Sequence, residues 1–229
     1  MARTFDVRPY DIDCKRIIYR NTRFAFEPGL TVLTGCNGAG KTTLMQRMGE
    51  ILRDEGIPVE SLMKRELGRI IDGQAFFGST EAAVHQVWSN WQSEGEAAKS
   101  DFGFLLKRIG NLVVHTESEC KERWVLIDGI DSSMSIDVLG EIRGLFDVIL
   151  ETAPSDVEVY LVVSTNQYEL ARGNTCIRVT DGEVYVPTSY EDYRDSILLS
   201  AKHKEGVEEI SDDVWEEKFE CVDERTYLS

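Results

Sequence analysis

A glycine-rich stretch near the N-terminus constrains the fold of this chain more than any other part of its sequence. Residues 35–43 read GCNGAGKTT, in which Gly35, Gly40, Lys41 and Thr42 satisfy the pattern G-x-x-x-x-G-K-[ST]. Glycines at this spacing let the backbone wrap so that successive amides point inward at an anion, and the helix that follows adds its N-terminal dipole. Because an apolar run precedes the stretch and helical spacing follows it, the sequence predicts a strand, a phosphate-binding loop and a helix.

The loop pattern also predicts which ligand groups these residues contact. In such loops the lysine, here Lys41, reaches the β- and γ-phosphates, and the hydroxyl of Thr42 takes a position on Mg²⁺. The other residues of the stretch are expected to bind ATP as well: Gly35, Cys36, Asn37, Gly38, Ala39, Gly40 and Thr43. We therefore predict ATP and Mg²⁺ as the cofactors of this chain.

Strand and helix patterns alternate along the chain. β-Branched and aromatic residues before the loop predict two or three antiparallel strands and then a buried strand, Leu30–Thr34. Two fully apolar runs, Trp124–Ile127 and Val157–Val163, are typical of central parallel strands that are buried on both faces. Helical spacing predicts helices over residues 41–54, 80–92, 102–110, 136–150 and 190–203.

This alternation predicts an α/β domain. We expect a three-layer P-loop NTPase fold with a mostly parallel central sheet and additional antiparallel strands at the N-terminus. Residues 175–187 alternate in polarity around Asp181-Gly182, which predicts a hairpin. The domain is expected to span residues 1–203. Acidic residues dominate residues 204–229, which are expected to form a loosely held tail.

A second motif, WVLIDGIDSSMSID, occupies residues 124–137. Four apolar residues end in Asp128, as in a strand that places an aspartate at its carboxyl end to hold Mg²⁺. Here the sequence resembles ABC-type ATPases and their SMC, RecF and RecN relatives. TGCNGAGKTTLM is similar to their phosphate loop, and LIDGIDSSMS is similar to the LDEIDAALD segment of the SMC proteins.

The resemblance extends, more weakly, over roughly residues 20–185. YLVVSTNQYELA resembles the strand ending in STH that closes the ABC site, and WQSEGEAAKS lies where the LSGGQ signature belongs. Small free-standing ABC-like ATPases of bacteria and phages have this shape, and the chain looks like one of them.

The resemblance implies catalytic roles at positions where this chain departs from the family's pattern. Gly129 stands in place of the glutamate that acts as general base, and Asn166 in place of the histidine that contacts the γ-phosphate. Asp131 is a candidate replacement base, although the SMC-like pattern has this aspartate beside the glutamate. A well-placed base contributes roughly 10²–10⁴ in rate. Since phosphate positioning remains intact, we expect tight ATP binding with slow hydrolysis.

Other site residues follow from the same resemblance. Ser93 and Gly95 remain from the signature, and they imply an ATP-dependent homodimer in which each chain closes on the γ-phosphate of its partner. Gln74 is a candidate for the glutamine that senses Mg²⁺, with a solvent-facing loop residue as the alternative. Tyr10 and Tyr19 are candidates for stacking on adenine, although packing in the core or on a strand surface is favoured.

Charge and cysteine content limit the partners. The net charge of −16, from 41 acidic and 25 basic side chains, repels phosphate backbones and disfavours non-specific nucleic-acid binding. Five widely spaced cysteines without a CxxC pair favour reduced thiols and a cytoplasmic protein. No apolar stretch approaches the roughly 20 residues that span a bilayer, so no membrane span is expected.

Several functions are compatible with these patterns. The leading interpretation is an ABC- or SMC-head-like ATPase that dimerises around ATP and acts as a slow switch or clamp. One alternative is a nucleotide-sensing protein without an enzymatic role, in which ATP stabilises a surface for an unknown protein partner. Another is a RecF- or SMC-like ATPase of DNA repair or maintenance, which the charge of −16 disfavours. A transporter's nucleotide-binding subunit and a small-molecule kinase are less favoured.

Overall fold

The computed structural model describes residues 2–11, 16–62, 109–113, 119–130 and 136–205, and these form a mixed α/β fold. Its strands are β1 Arg3–Asp6, β2 Tyr10–Asp11, β3 Arg16–Ile17, β4 Arg23–Phe26, β5 Gly29–Thr34, β6 Val59–Leu62, β7 Glu122–Ile127, β8 Glu158–Ser164, β9 Thr175–Arg178 and β10 Glu183–Tyr185. Its helices are α1 Lys41–Asp54, α2 Ile136–Thr152, α3 Tyr168–Ala171 and α4 Tyr190–Glu205, and residues 109–113 are also helical.

Six strands form the central sheet, in the order β10-β9-β5-β8-β7-β6. Every pairing in it is parallel except that of β10 with β9, which form the predicted hairpin. The N-terminal part contains four short strands rather than two or three, and they pair antiparallel as β1 with β4 and β2 with β3. The predicted α/β class with a mostly parallel sheet is therefore confirmed.

Some predicted elements lie outside the described residues. They are the helix over residues 80–92, residues 102–108 of the next helix, and residues 206–229 of the acidic tail. The predicted domain boundary after residue 203 falls within the last turn of α4, and the division into domain and tail stays a prediction. Among the described helices, none has both the length and the apolar content needed to cross a bilayer.

The central strands are buried on both faces. Successive side chains point to opposite sides of the sheet, and an apolar core covers each side. In β7, Trp124 and Leu126 face one apolar core, which includes the inner side of α1 and the N-terminal aromatic residues. Val125 and Ile127 face a second core, which includes the inner side of α2. The stacked rings of Trp124 and Tyr160, with centroids 4.1 Å apart, join β7 to β8 within the first core. Helix, sheet and helix thus form three layers.

The strand order determines where polar side chains meet. β8 lies between β5, which leads into the phosphate loop, and β7, which leads into Asp128. The three strands are parallel and pair in register, with Leu33 opposite Ser164 and Ile127 opposite Val163. Their carboxyl ends therefore lie at one edge of the sheet, where ligands bind in open α/β folds.

Candidate functional site

The phosphate loop joins the end of β5 to the start of α1. Gly35 follows the last residue of β5, and Lys41 is the first residue of α1. Gly40 has a φ of +92°, in the left-handed region that favours glycine. A Cβ atom at Gly40 would also lie 2.8 Å from the ring of Tyr19. The backbone conformation and the packing therefore both require glycine at this position.

The N-terminus of α1 is open to an anion. Within the described part of the chain no side chain caps it, and its first turn contains no acidic residue. The first amides of a helix lack partners within the helix, and together with the helix dipole they attract negative charge. This end of α1 therefore has the chemistry of a phosphate site.

Lys41 is held inside its own loop. Its Nζ donates to the carbonyl oxygen of Gly35 at 2.6 Å and of Cys36 at 3.3 Å, and to Oδ1 of Asn166 at 3.1 Å. All three acceptors are uncharged, so the positive charge of the ammonium is not neutralised by any of them. A phosphate oxygen that replaced one of them would form the stronger, charge-assisted bond.

Asp128, which directly follows β7, bonds to the start of α1 and to the end of the neighbouring strand β8. Its Oδ2 accepts a hydrogen bond of 2.7 Å from the Thr42 hydroxyl, and its Oδ1 accepts one of 2.5 Å from the Ser164 hydroxyl. The side chain is buried. Sequence reasoning missed Ser164, because its role depends on β8 lying between β5 and β7. A serine at the end of an apolar strand was the available signal.

Gly129 provides no side chain where the ABC and SMC pattern has its glutamate. Its φ is +66°, and its N–H donates to the Ser164 hydroxyl at 2.8 Å. Ser164 therefore bonds both to Asp128 and to the backbone of the next residue. Left-handed backbone costs a non-glycine residue about 1–2 kcal/mol. The backbone conformation at position 129 therefore favours glycine.

Asn166 lies two residues beyond the end of β8 and bridges two residues of the loop. Its Oδ1 accepts from Lys41, and its Nδ2 donates to Oδ1 of Asn37 at 3.0 Å. The structure thus brings Asn166, which stands at the position of the ABC histidine, into contact with Lys41 of the loop. Its role toward the γ-phosphate stays a prediction.

Two residues of α4 contact the loop from another side, and sequence reasoning missed both. Ser200 Oγ accepts a hydrogen bond of 3.2 Å from the N–H of Cys36, and Lys204 Nζ donates one of 2.9 Å to the carbonyl oxygen of Asn37. Apolar spacing predicted the helix itself but contains no information on which loop the helix contacts.

Ion pairs and a hydrogen bond of the buried Arg178 connect the β9–β10 hairpin to α4. Arg178 donates to the carboxylates of Asp181 and Glu183, and to the hydroxyl of Ser196 on α4. Burial alone would raise the pKa of Asp181, but hydrogen bonds from Arg178 and the Glu183 backbone outweigh it and lower that pKa. His203 Nδ1 lies 3.5 Å from the same carboxylate. The hairpin and α4 therefore share one charged contact.

Tyr19 packs in the core. Only 1% of its surface is exposed, its ring packs edge-on against Phe24, and its hydroxyl donates to the carbonyl oxygen of Gly40 at 2.6 Å. This burial favours the packing interpretation over adenine stacking. The Tyr10 side chain lies outside what the structure describes.

Four other predicted site residues fall outside the described residues, and their roles stay predictions. They are Gln74, Ser93, Gly95 and Asp131. Of the predicted residues that are described, Lys41, Thr42, Asp128 and Asn166 form one connected group with the backbone of the loop.

Comparison with known protein families identifies a match. The family model described as AAA domain matches residues 23–170. This range runs from β4 to α3 and includes the phosphate loop, Asp128 and Asn166, but it ends before β9, β10 and α4. No curated protein matches the chain.

Proposed function

This chain belongs to the AAA domain family of P-loop ATPases, and we propose that it binds ATP with Mg²⁺ and hydrolyses it slowly, as a nucleotide-dependent dimerising switch. One observation carries the proposal. Lys41, Thr42 and Asp128 are assembled at one edge of the sheet, while Gly129 occupies the position of a general base. The site is therefore equipped to hold a nucleotide and lacks one group that would accelerate its hydrolysis.

Nucleotide binding rests on the loop, its lysine and the open end of α1. The amides that follow Gly40 have no side-chain cap, and the Lys41 ammonium is held by uncharged acceptors. A triphosphate would accept charge-assisted hydrogen bonds from these amides and from the Lys41 ammonium. On binding, Lys41 exchanges its hydrogen bond to a loop carbonyl for one to a phosphate oxygen. Asn166 then lies within reach of both Lys41 and that phosphate.

The oxygen atoms beside the loop fit Mg²⁺. The Thr42 hydroxyl and the Asp128 carboxylate lie 2.7 Å apart, and Mg²⁺ prefers hard oxygen ligands, with water and phosphate completing its shell. Thr42 and Asp128 would hold the ion. When bound, it supplies positive charge that offsets negative charge on the phosphoryl oxygens. Ser164, through its bond to Asp128 Oδ1, keeps the carboxylate oriented toward Thr42.

Slow hydrolysis follows from the groups that remain. Lys41 stabilises charge on the phosphoryl group, and such positioning supplies most of the catalysis of phosphoryl transfer. Gly129 has no side chain to orient the attacking water, and the N–H of Gly129 is tied to Ser164. We therefore expect turnover roughly 10²–10⁴ below that of an enzyme with a placed base.

The dimerisation part of the proposal rests on the resemblance to ABC and SMC heads. In those proteins signature residues of one chain close on the nucleotide of the other, and Ser93 and Gly95 are the residues of this chain that would do so. The proposed dimer is therefore an ATP-trapped state that persists because hydrolysis is slow.

The test combines binding, turnover and mass. ATP affinity and phosphate release are measured for the wild type and for Lys41→Ala, and light scattering gives the mass with and without ATP and Mg²⁺. We expect Lys41→Ala to lose binding and turnover, and the mass to double with ATP. Equal turnover in both proteins would mean that the observed hydrolysis is background. A monomer under all conditions would exclude the dimer.

A second function is favoured by the same glycine. If ATP serves only to stabilise a surface for a protein partner, the site needs no general base. A glycine at position 129 is compatible with that function. Phosphate release separates the two functions. Binding without any Lys41-dependent release supports the nucleotide sensor, and measurable Lys41-dependent release supports the ATPase.

A further inference from the structure

The last two turns of α4 contact two consecutive residues of the phosphate loop. Ser200 accepts the N–H of Cys36 at 3.2 Å, and Lys204 donates to the carbonyl oxygen of Asn37 at 2.9 Å. Ser200 and Lys204 are four residues apart, so they lie one above the other on the same face of the helix. Ser200 is fully buried in this contact. The helix therefore touches the loop through two defined hydrogen bonds.

The contact is close enough to restrict the loop's own sequence. A Cβ atom at Gly35 would lie 3.1 Å from Ser200 Oγ, and one at Gly38 would lie 2.8 Å from Lys204 Nζ. The φ values of +146° at Gly35 and +73° at Gly38 also favour glycine. Glycine at Gly35 thus lets the buried Ser200 hydroxyl approach the loop, whereas at Gly38 the backbone conformation is the stronger requirement, because the flexible end of Lys204 could move.

We propose that Ser200 and Lys204 are positioning residues that brace the phosphate loop from α4 and thereby set its affinity for nucleotide. This inference rests on the proposed function, because it assumes that the loop binds ATP. In a trans peptide unit the C=O and the following N–H point in opposite directions. Lys204 holds the C=O of Asn37 toward α4, which turns the N–H of Gly38 away from the helix and toward the inside of the loop.

The charge of Lys204 has a second effect. The C-terminal end of a helix carries a partial negative charge, which is unfavourable beside a phosphate site. The last turn of α4 contains Lys202, His203 and Lys204, and Lys204 is the one of the three that bonds to the loop. The positive charge of Lys204 therefore offsets the partial negative charge of the helix end where α4 meets the loop.

Neither bracing residue lies in the segment that matches the family model, which ends at residue 170. Family membership therefore says nothing of them. The brace is a separate feature of this chain, formed by a helix that reaches the loop across the β9–β10 hairpin.

The experiment compares ATP affinity in the full chain with four single changes: Lys204→Met, Lys204→Arg, Ser200→Ala and, as a matched control, Lys202→Met. Lys202 is exposed and lies two residues, or about 200° of helix rotation, from Lys204. We expect the dissociation constant for ATP to rise roughly three- to tenfold in Lys204→Met and Ser200→Ala, the effect of one lost hydrogen bond. Lys204→Arg should retain most of the wild-type affinity for ATP, and Lys202→Met should bind ATP as the wild type does.

Measurements at high salt separate positioning from simple charge. A long-range charge effect is screened at 1 M salt, whereas the loss of a hydrogen bond that orients the loop persists. The brace is excluded if Lys204→Met binds ATP as tightly as the wild type, if Lys202→Met weakens binding equally, or if the deficit disappears at 1 M salt.

Two further readouts keep this result distinct from other failures. Thermal unfolding without nucleotide shows whether Lys204→Met is folded, and its midpoint should stay close to that of the wild type because Lys204 is exposed. Lys41→Ala tests the site itself. If wild-type protein binds no ATP, the proposed function fails; if Lys41→Ala loses binding while Lys204→Met and Ser200→Ala keep it, only the brace fails.

Discussion

Asn166 accepts a hydrogen bond of 3.1 Å from Nζ of Lys41 and donates one of 3.0 Å to the side chain of Asn37. A single amide thus connects Lys41 to Asn37 in the middle of the loop. Because an amide is both donor and acceptor, it satisfies both partners without adding charge. Asn166 therefore contacts Lys41 without neutralising its positive charge.

The first prediction tests this neutrality. Asn166→Asp keeps the shape and places a carboxylate beside Lys41, so it should pair with the ammonium and repel phosphate. We expect the dissociation constant for ATP to rise at least about tenfold, given the energy of a unit charge at this distance. Asn166→His, which introduces the residue of the ABC pattern, should change affinity far less. Calorimetric titration with ATP and Mg²⁺ measures both, and equal affinities for Asn166→Asp and wild type would contradict the prediction.

The second prediction concerns the missing base. Gly129→Glu restores the carboxylate of the ABC and SMC pattern, whereas Gly129→Gln has the same shape without the basic oxygen. Both changes should cost about 1–2 kcal/mol in the free energy of unfolding, because Gly129 has left-handed backbone. Turnover should nevertheless be about tenfold or more faster in Gly129→Glu than in Gly129→Gln, a fraction of what a well-placed base supplies.

Steady-state phosphate release, corrected for the folded fraction, provides that comparison. Identical rates in the two Gly129 variants would show that this position does not face the attacking water. The slow hydrolysis proposed here would then need another cause.

Much of the fold and part of the site could be predicted from the sequence, and the missing parts have a common cause. The loop, α1 and the strand before Asp128 have local patterns, because the residues that specify each one are neighbours in the chain. Ser164 was missed since its partner Asp128 is 36 residues away and the two meet only through the register of β7 and β8. Lys204 meets Asn37 across 167 residues. Periodicity shows that a helix forms, but does not show which surface it covers.

The third prediction tests the support of the loop from the core. Tyr19→Phe removes the hydroxyl that donates to the Gly40 carbonyl while keeping the ring that packs on Phe24. We expect a loss of about 1 kcal/mol in the free energy of unfolding, typical of one hydrogen bond, together with a few-fold weaker ATP binding. Denaturant unfolding and ATP titration measure the two effects. Tyr190→Phe, at an exposed tyrosine of α4, is the control and should change neither.

The last prediction concerns pH and the charged contact beneath α4. The pKa of Asp181 is lowered in the folded protein, because hydrogen bonds from Arg178 outweigh the effect of burial. A carboxyl group with a lowered folded pKa contributes stability that is fully present above its ordinary pKa, near 4, and is lost as the pH falls below that value. Arg178 and His203 lie beside this carboxylate, and Glu183 pairs with the same Arg178 guanidinium.

Asp181→Asn should therefore destabilise the protein by about 1.5–3 kcal/mol at pH 7, the range for hydrogen bonds to charged groups. Its difference from the wild type should shrink as the pH falls below about 4, since the Asp181 carboxyl of the unfolded wild-type chain then binds a proton before that of the folded protein does. Asp147→Asn, at an exposed position of α2, should differ little from the wild type at either pH. Denaturant unfolding from pH 7 to pH 3 checks this, and a difference that stays constant over the range would mean that Asp181 acts through its shape rather than its charge.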